Sequence, residues 1–104
     1  MKNRHLIDQI RLVIRETDAN ADAWLFGSRA RGDSRADSDW DVLILVENKA
    51  ITNEIEDKFR GPLYDLELET GEIISTFIYP KKIWNRNLVF SPLYKNIKKE
   101  GIRL

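Results

Sequence analysis

The chain has no cysteine among its 104 residues. That excludes disulfides, thiolate zinc sites and a cysteine nucleophile. It has one histidine, His5, which falls on the polar face of the first apolar repeat and reads as a surface residue. A metal would therefore be held mainly by oxygen, and a hard cation such as magnesium is the natural expectation. No run approaches the roughly 20 apolar residues of a membrane helix. The opening Met1-Lys2-Asn3-Arg4-His5 lacks the apolar stretch of a secretory signal, so a cytoplasmic protein without membrane association is expected. There is no repeat, linker or low-complexity segment, and the length suits one domain over residues 1–104. Hydrophobic residues at 42% are too many for a disordered chain.

Net charge is also missing, since 17 basic side chains balance 17 acidic ones, but the balance is uneven along the chain. Residues 37–72 hold eleven acidic side chains against three basic, whereas residues 73–104 hold seven basic against one acidic. A polynucleotide binder would show a continuous basic face, and here the cationic stretch is confined to Lys81–Arg103, which argues against nucleic acid.

Leu6, Ile7, Ile10, Val13 and Ile14 recur at helical spacing, predicting an amphipathic helix from about Arg4 to Thr17. Ala23–Phe26 and the longer Asp41–Val46 read as buried strands. Ile55, Phe59, Leu63 and Leu66 predict a helix interrupted near Gly61-Pro62 and closed by Gly71. The alternation of Tyr64, Leu66 and Leu68 with acidic residues also fits an edge strand, and helix is the favoured reading. Ile73–Tyr79 is a third strand stopped by Pro80, followed by short helical pieces around Trp84, Phe90 and Tyr94. The whole predicts an α/β (α+β) domain with a small three-stranded mixed sheet covered by helices. Trp24, Trp40 and Phe77 are assigned to its core, while Trp84, Phe90 and Tyr94, with Lys95, Lys98 and Lys99, are candidates for a partner or dimer surface.

The chemistry concentrates between Gly27 and Asp41. Gly27 ends a strand where the backbone must turn sharply, and without a Cβ it lets a bulky anion approach the following amides. Ser28 adds a hydroxyl donor, and Arg29 or Arg31 can add positive charge to a phosphate site. Asp39 and Asp41 are two apart on a strand, so their carboxylates share one face while Trp40 points to the other. Such a pair invites a cation whose shell is completed by phosphate oxygens and water. Gly27 to Gly32 is no P-loop, because Asp33 stands where that motif requires lysine.

Gly27-Ser28, ten residues, then Asp39-Trp40-Asp41-Val42 resembles the signature of the DNA polymerase beta-like nucleotidyltransferase superfamily. Gly-Ser-Arg-Ala-Arg-Gly-Asp with Ser38-Asp39 is similar to its minimal, single-domain members. The resemblance is close over Trp24–Val46, and residues 47–104 fit by order of elements. It implies the nucleotidyltransferase fold and Mg2+-dependent transfer of a nucleoside monophosphate, AMP from ATP being favoured, to a hydroxyl of a partner macromolecule. Asp39 and Asp41 would be the catalytic metal ligands, and Gly27, Ser28, Arg29 and Arg31 the nucleotide-binding residues. It further implies an antitoxin-like role beside a small helical HEPN protein.

One feature departs from that pattern. Active members place a third carboxylate on the next strand, and here Ser75 or Thr76 occupies that place. Glu72 is the candidate substitute, with Asp65, Glu67 and Glu69 behind it. The alternative reading is a catalytically inactive nucleotide-binding or interaction module that neutralises its partner by binding.

Overall fold

The computed structural model describes residues 2–104, and their side chains from His5 onward; Met1, read from the sequence only as the initiator, lies outside the described residues. The chain runs α1 (Lys2–Thr17), β1 (Asp22–Phe26), α2 (Ser28–Arg31), β2 (Trp40–Val46), α3 (Asn53–Thr70), β3 (Ile74–Pro80), α4 (Lys81–Arg86), α5 (Pro92–Glu100) and β4 (Ile102–Arg103). The sheet is mixed and its order is β3-β2-β1-β4. β1 pairs antiparallel with β2 and β4, whereas β2 and β3 are parallel and joined by the 18-residue crossover helix α3. Such a parallel pair requires a long connection of this kind.

Strand periodicity divides the core into two layers. Ala23 and Leu25, with Trp40, Val42, Ile44 and Val46, pack against Leu6, Ile10 and Ile14 of α1 and Phe59, Leu63 and Leu66 of α3. The intervening residues Phe26, Leu43 and Leu45 pack on the other face with Trp84 of α4 and Ile97 of α5. Asp41 belongs to this second set, at the end of β2 ahead of the two leucines. One strand thus carries its carboxylate on the same face as its apolar residues, and helices cover only the apolar part.

Two sequence expectations need correction. The sheet has four strands, not three, because Ile102 and Arg103 pair with Leu25 and Trp24. A two-residue strand has no periodicity to announce it. The helix over 53–70 is continuous through Pro62, with no break at Gly61-Pro62. Pro62 lies on the exposed face, so the carbonyl of Lys58 that loses its partner can bond to water, while Phe59, Leu63 and Leu66 hold both halves to the sheet. The structure selects helix, not edge strand, for 63–69, and Gly71 closes it in the left-handed conformation. Trp40 is buried as assigned and Trp24 is half-buried, but Phe77 is 37% exposed. It sits on the edge strand, leaning on Phe26 with ring centroids 5.4 Å apart. Trp84 is buried, Tyr94 half-buried and Phe90 84% exposed, while His5 is exposed as read. No helix among the described residues is long and apolar enough to cross a membrane.

Pro62 still carries a cost. Pro62→Ala should raise the unfolding free energy by about 1–3 kcal/mol, the interior-proline penalty reduced by the extra freedom of the unfolded chain. Urea unfolding of the two proteins measures this, and an unchanged or lowered midpoint would contradict it.

Candidate functional site

The site is assembled by the antiparallel register of β1 and β2. Phe26 lies opposite Asp41, so the residue after Phe26 turns directly over that carboxylate. That residue is Gly27, with φ +77° and ψ −159°, a region open to glycine alone. A Cβ there would also collide with the Asp41 carboxylate. Local conformation and local space therefore each demand glycine. The carbonyl of Gly27 accepts from the N–H groups of Ala30 and Arg31, which starts the single turn of α2. The N–H groups of Ser28 and Arg29 precede these bonds, so they stand outside the helical pattern.

The sequence reading put Asp39 and Asp41 on one strand; Asp39 instead immediately precedes β2 and Asp41 is its second residue, so both stand at the same end of the sheet. Asp39 is exposed and Asp41 half-buried. The parallel register places Ser75 of β3 beside Asp41, and the Ser75 hydroxyl donates to Asp39 Oδ2 at 3.0 Å. Of the two residues considered for the missing carboxylate, Ser75 is therefore the one that meets the aspartates. Thr76 instead accepts from Arg60 Nε at 3.1 Å. Burial first, and the charge of Asp39 second, push the Asp41 carboxyl above its ordinary value, and Arg31 partly offsets them.

Glu72 does not join this pair. It accepts from the Trp40 indole N–H at 3.4 Å and lies 3.5 Å from Arg29 Nη2. Among the described residues no three acidic or imidazole side chains gather into a group able to hold a metal.

Arg29 and Arg31, paired in the sequence reading, have separate surroundings. Arg29 is only 6% exposed in its side chain; it stacks 4.5 Å over Trp40 and donates to the carbonyls of Ser38 at 3.0 Å and Ala36 at 3.3 Å. Its donors face the loop leading to Asp39, so it braces that loop from beneath. Arg31 is about half exposed and donates to Glu100 at 3.0 Å and Asp33 at 3.2 Å. Those two carboxylates, Glu100 foremost, hold its pKa above the usual arginine value. The contacts of Arg31 with Glu100 and of Glu72 with Arg29 and Trp40 join residues far apart in the chain, and no spacing in the sequence signals them.

The state of Asp41 gives a pH-dependent expectation. Its folded pKa lies above the 3.8 of the unconstrained group, so its favourable share of stability is complete below that value and is lost as pH rises through the folded pKa. In chelator at pH 7, Asp41→Asn should melt higher than the wild type, and the difference should shrink toward zero near pH 3. Thermal unfolding at the two pH values measures it. A variant that melts lower at pH 7 would contradict the account.

A family model for the nucleotidyltransferase domain matches residues 7–104. Nothing among curated proteins matches the chain. Among solved structures, a crystal structure of a toxin–antitoxin with AMP-PNP is similar, with a TM-score of 0.65 and 16% sequence identity, over 92% of this chain and 69% of that one. At that identity the likeness is one of fold. Because the family match runs from Ile7 to Leu104, through the turn, both aspartates and the helices on either side of the sheet, the chain belongs to the nucleotidyltransferase domain family.

Proposed function

We propose that this chain is a single-domain, Mg2+-dependent minimal nucleotidyltransferase that moves AMP from ATP to a hydroxyl of a partner protein, and that it works in the cytoplasm as the antitoxin-like partner of a helical HEPN protein. The observation that carries the reading is the placement of Asp41 directly beneath Gly27, which sets a phosphate-binding turn against a carboxylate pair. The partner assignment draws on the similar fold found in a toxin–antitoxin with AMP-PNP.

Nucleotidyltransferase domains generally use divalent metals, and the donor set here fits a hard cation. Burial and the charge of Asp39 both disfavour ionised Asp41, a conflict that a bound cation removes. Asp39 and Asp41 would hold magnesium, whose chemistry is to neutralise charge on the phosphate oxygens. Gly27 and Ser28 orient the phosphates through backbone N–H groups and the Ser28 hydroxyl. The acceptor oxygen forms a bond to the α-phosphorus while the bond to the bridging oxygen breaks, pyrophosphate leaves, and the acceptor proton passes to solvent or to a base on the partner.

The second reading, an inactive module that neutralises its partner by binding, is favoured by one observation. Ser75 occupies the third-carboxylate position and Glu72 is engaged with Arg29 and Trp40. Neither supplies a base beside the aspartates.

Two measurements test these readings. In calorimetric titration, wild type should bind Mg-ATP and the Asp39→Asn, Asp41→Asn double variant, confirmed folded, should lose most of that binding. Absence of binding to wild type would sink the nucleotide reading. With a co-expressed HEPN partner, Ser75→Asp should speed transfer of labelled AMP by at least about tenfold, toward the 10²–10⁴ typical of a positioned base. A partner that stays unlabelled by both proteins, though bound, would favour the inactive module.

A further inference from the structure

The chain is neutral as a whole, but its two faces carry opposite charge. α3 holds six acidic side chains against two basic, whereas α4 and α5 together hold six basic against one acidic. α3 packs on one face of the sheet and α4 and α5 on the other. Much of this charge has no partner inside the chain. Among the described residues Asp57, Asp65 and Glu69 of α3 form no ion pair, and neither do Lys82 of α4 or Lys95 and Lys98 of α5.

Each charged surface also has an apolar centre. Tyr64 and Leu68 are four apart on α3, so they share one stripe, and they are 57% and 68% exposed. Asp57 precedes them on that stripe, while Asp65 and Glu69 run beside it. On the opposite face lies an open cleft of about 380 Å³. It is lined by half-buried Trp24, by buried Leu45, Trp84 and Ile97, and by Lys81 and Lys98. Lys81 is already paired with Glu47 and Asp22, but Lys98 is not paired with a carboxylate, and Lys95 stands one turn before it on the same side of α5.

We infer that the α3 surface of a second copy of this chain docks in the cleft, with Tyr64 and Leu68 entering it and Asp57, Asp65 and Glu69 set against the lysines around it. A helix laid in an apolar groove buries anchors at this spacing, and the opposed charges fix its orientation. No chain can fill its own cleft, because helix and cleft lie on opposite faces of its sheet. The contact is therefore head-to-tail, and since every chain offers both surfaces, association continues past a pair into a ring or a filament. The cleft lies at the end of the β1–β2 ladder where Asp22 opposes Leu45, and Asp41 lies at the other end, opposite Phe26. The inference thus stands apart from the nucleotide reading.

Sedimentation velocity of the chain tests it. At about 0.1 M salt, wild type should pass from monomer to species larger than a dimer between about 10 μM and about 1 mM protein. At about 1 M salt, where the screening length is roughly 3 Å, the same passage should need at least about tenfold more protein. The Tyr64→Ser, Leu68→Ser variant and the Lys95→Glu, Lys98→Glu variant, each confirmed folded by thermal unfolding, should stay monomeric alone. Mixed in equal amounts they should form dimers and nothing larger, because one keeps the cleft and the other keeps the helix surface. Wild type that stays monomeric, a variant that associates alone as wild type does, or a mixture without dimers would overturn the inference.

Discussion

The close approach of Gly27 to Asp41 is the constraint on which the site depends. It follows from a register, Phe26 opposite Asp41, and from the one residue that can both turn at positive φ and leave room for a carboxylate. Asp41 is half-buried beside this turn, and burial, with the charge of Asp39, raises its pKa above the ordinary value. The same turn leaves the N–H groups of Ser28 and Arg29 outside the helical ladder. A turn with unbonded backbone N–H groups and a half-buried carboxylate are thus produced by a single bend, and neither could be moved without the other.

The rest of the fold holds this bend in place from two sides. On one face Trp40, Val42, Ile44 and Val46 anchor β2 to α1 and α3; on the other, Leu43 and Leu45 are covered by α4 and α5 while Asp41 remains at the open end. β3 brings Ser75 to the pair, and α3 returns the chain in the parallel sense this requires. Beneath the pair, the side chains of Arg29, Trp40 and Glu72 form a polar and aromatic support in contact with one another.

Much of this arrangement was legible in the sequence wherever one residue type had to serve a local geometric need. Gly27 at a strand end, alternating Asp39 and Asp41, and the unbroken Val42–Val46 run each announced their own conformation. The helix α1 and the core placement of Trp40 followed from periodicity in the same way. What was not legible depends on partners distant in the chain. Arg29 and Arg31 look alike in sequence, yet one meets Trp40 and the other Glu100, a residue 69 positions away. Glu72 reads as a free carboxylate until Arg29 is seen against it. Phe77 reads as core until β3 proves to be an edge strand. Pro62 reads as a break because its exposed position is a tertiary fact.

Arg29 reaches mainly for backbone. Its closest bonds across the 32–39 segment go to the carbonyl oxygens of Ala36 and Ser38, groups that every amino acid carries. Apart from Gly32, whose φ of +86° favours glycine, and Ser38, whose hydroxyl accepts from the Arg35 N–H at 2.8 Å, the positions between the turn and the aspartates can therefore drift in sequence without loosening the frame. The loop is thus fixed in shape by few side chains, and most of its exposed positions can change while the frame around Asp39 and Asp41 stays as it is.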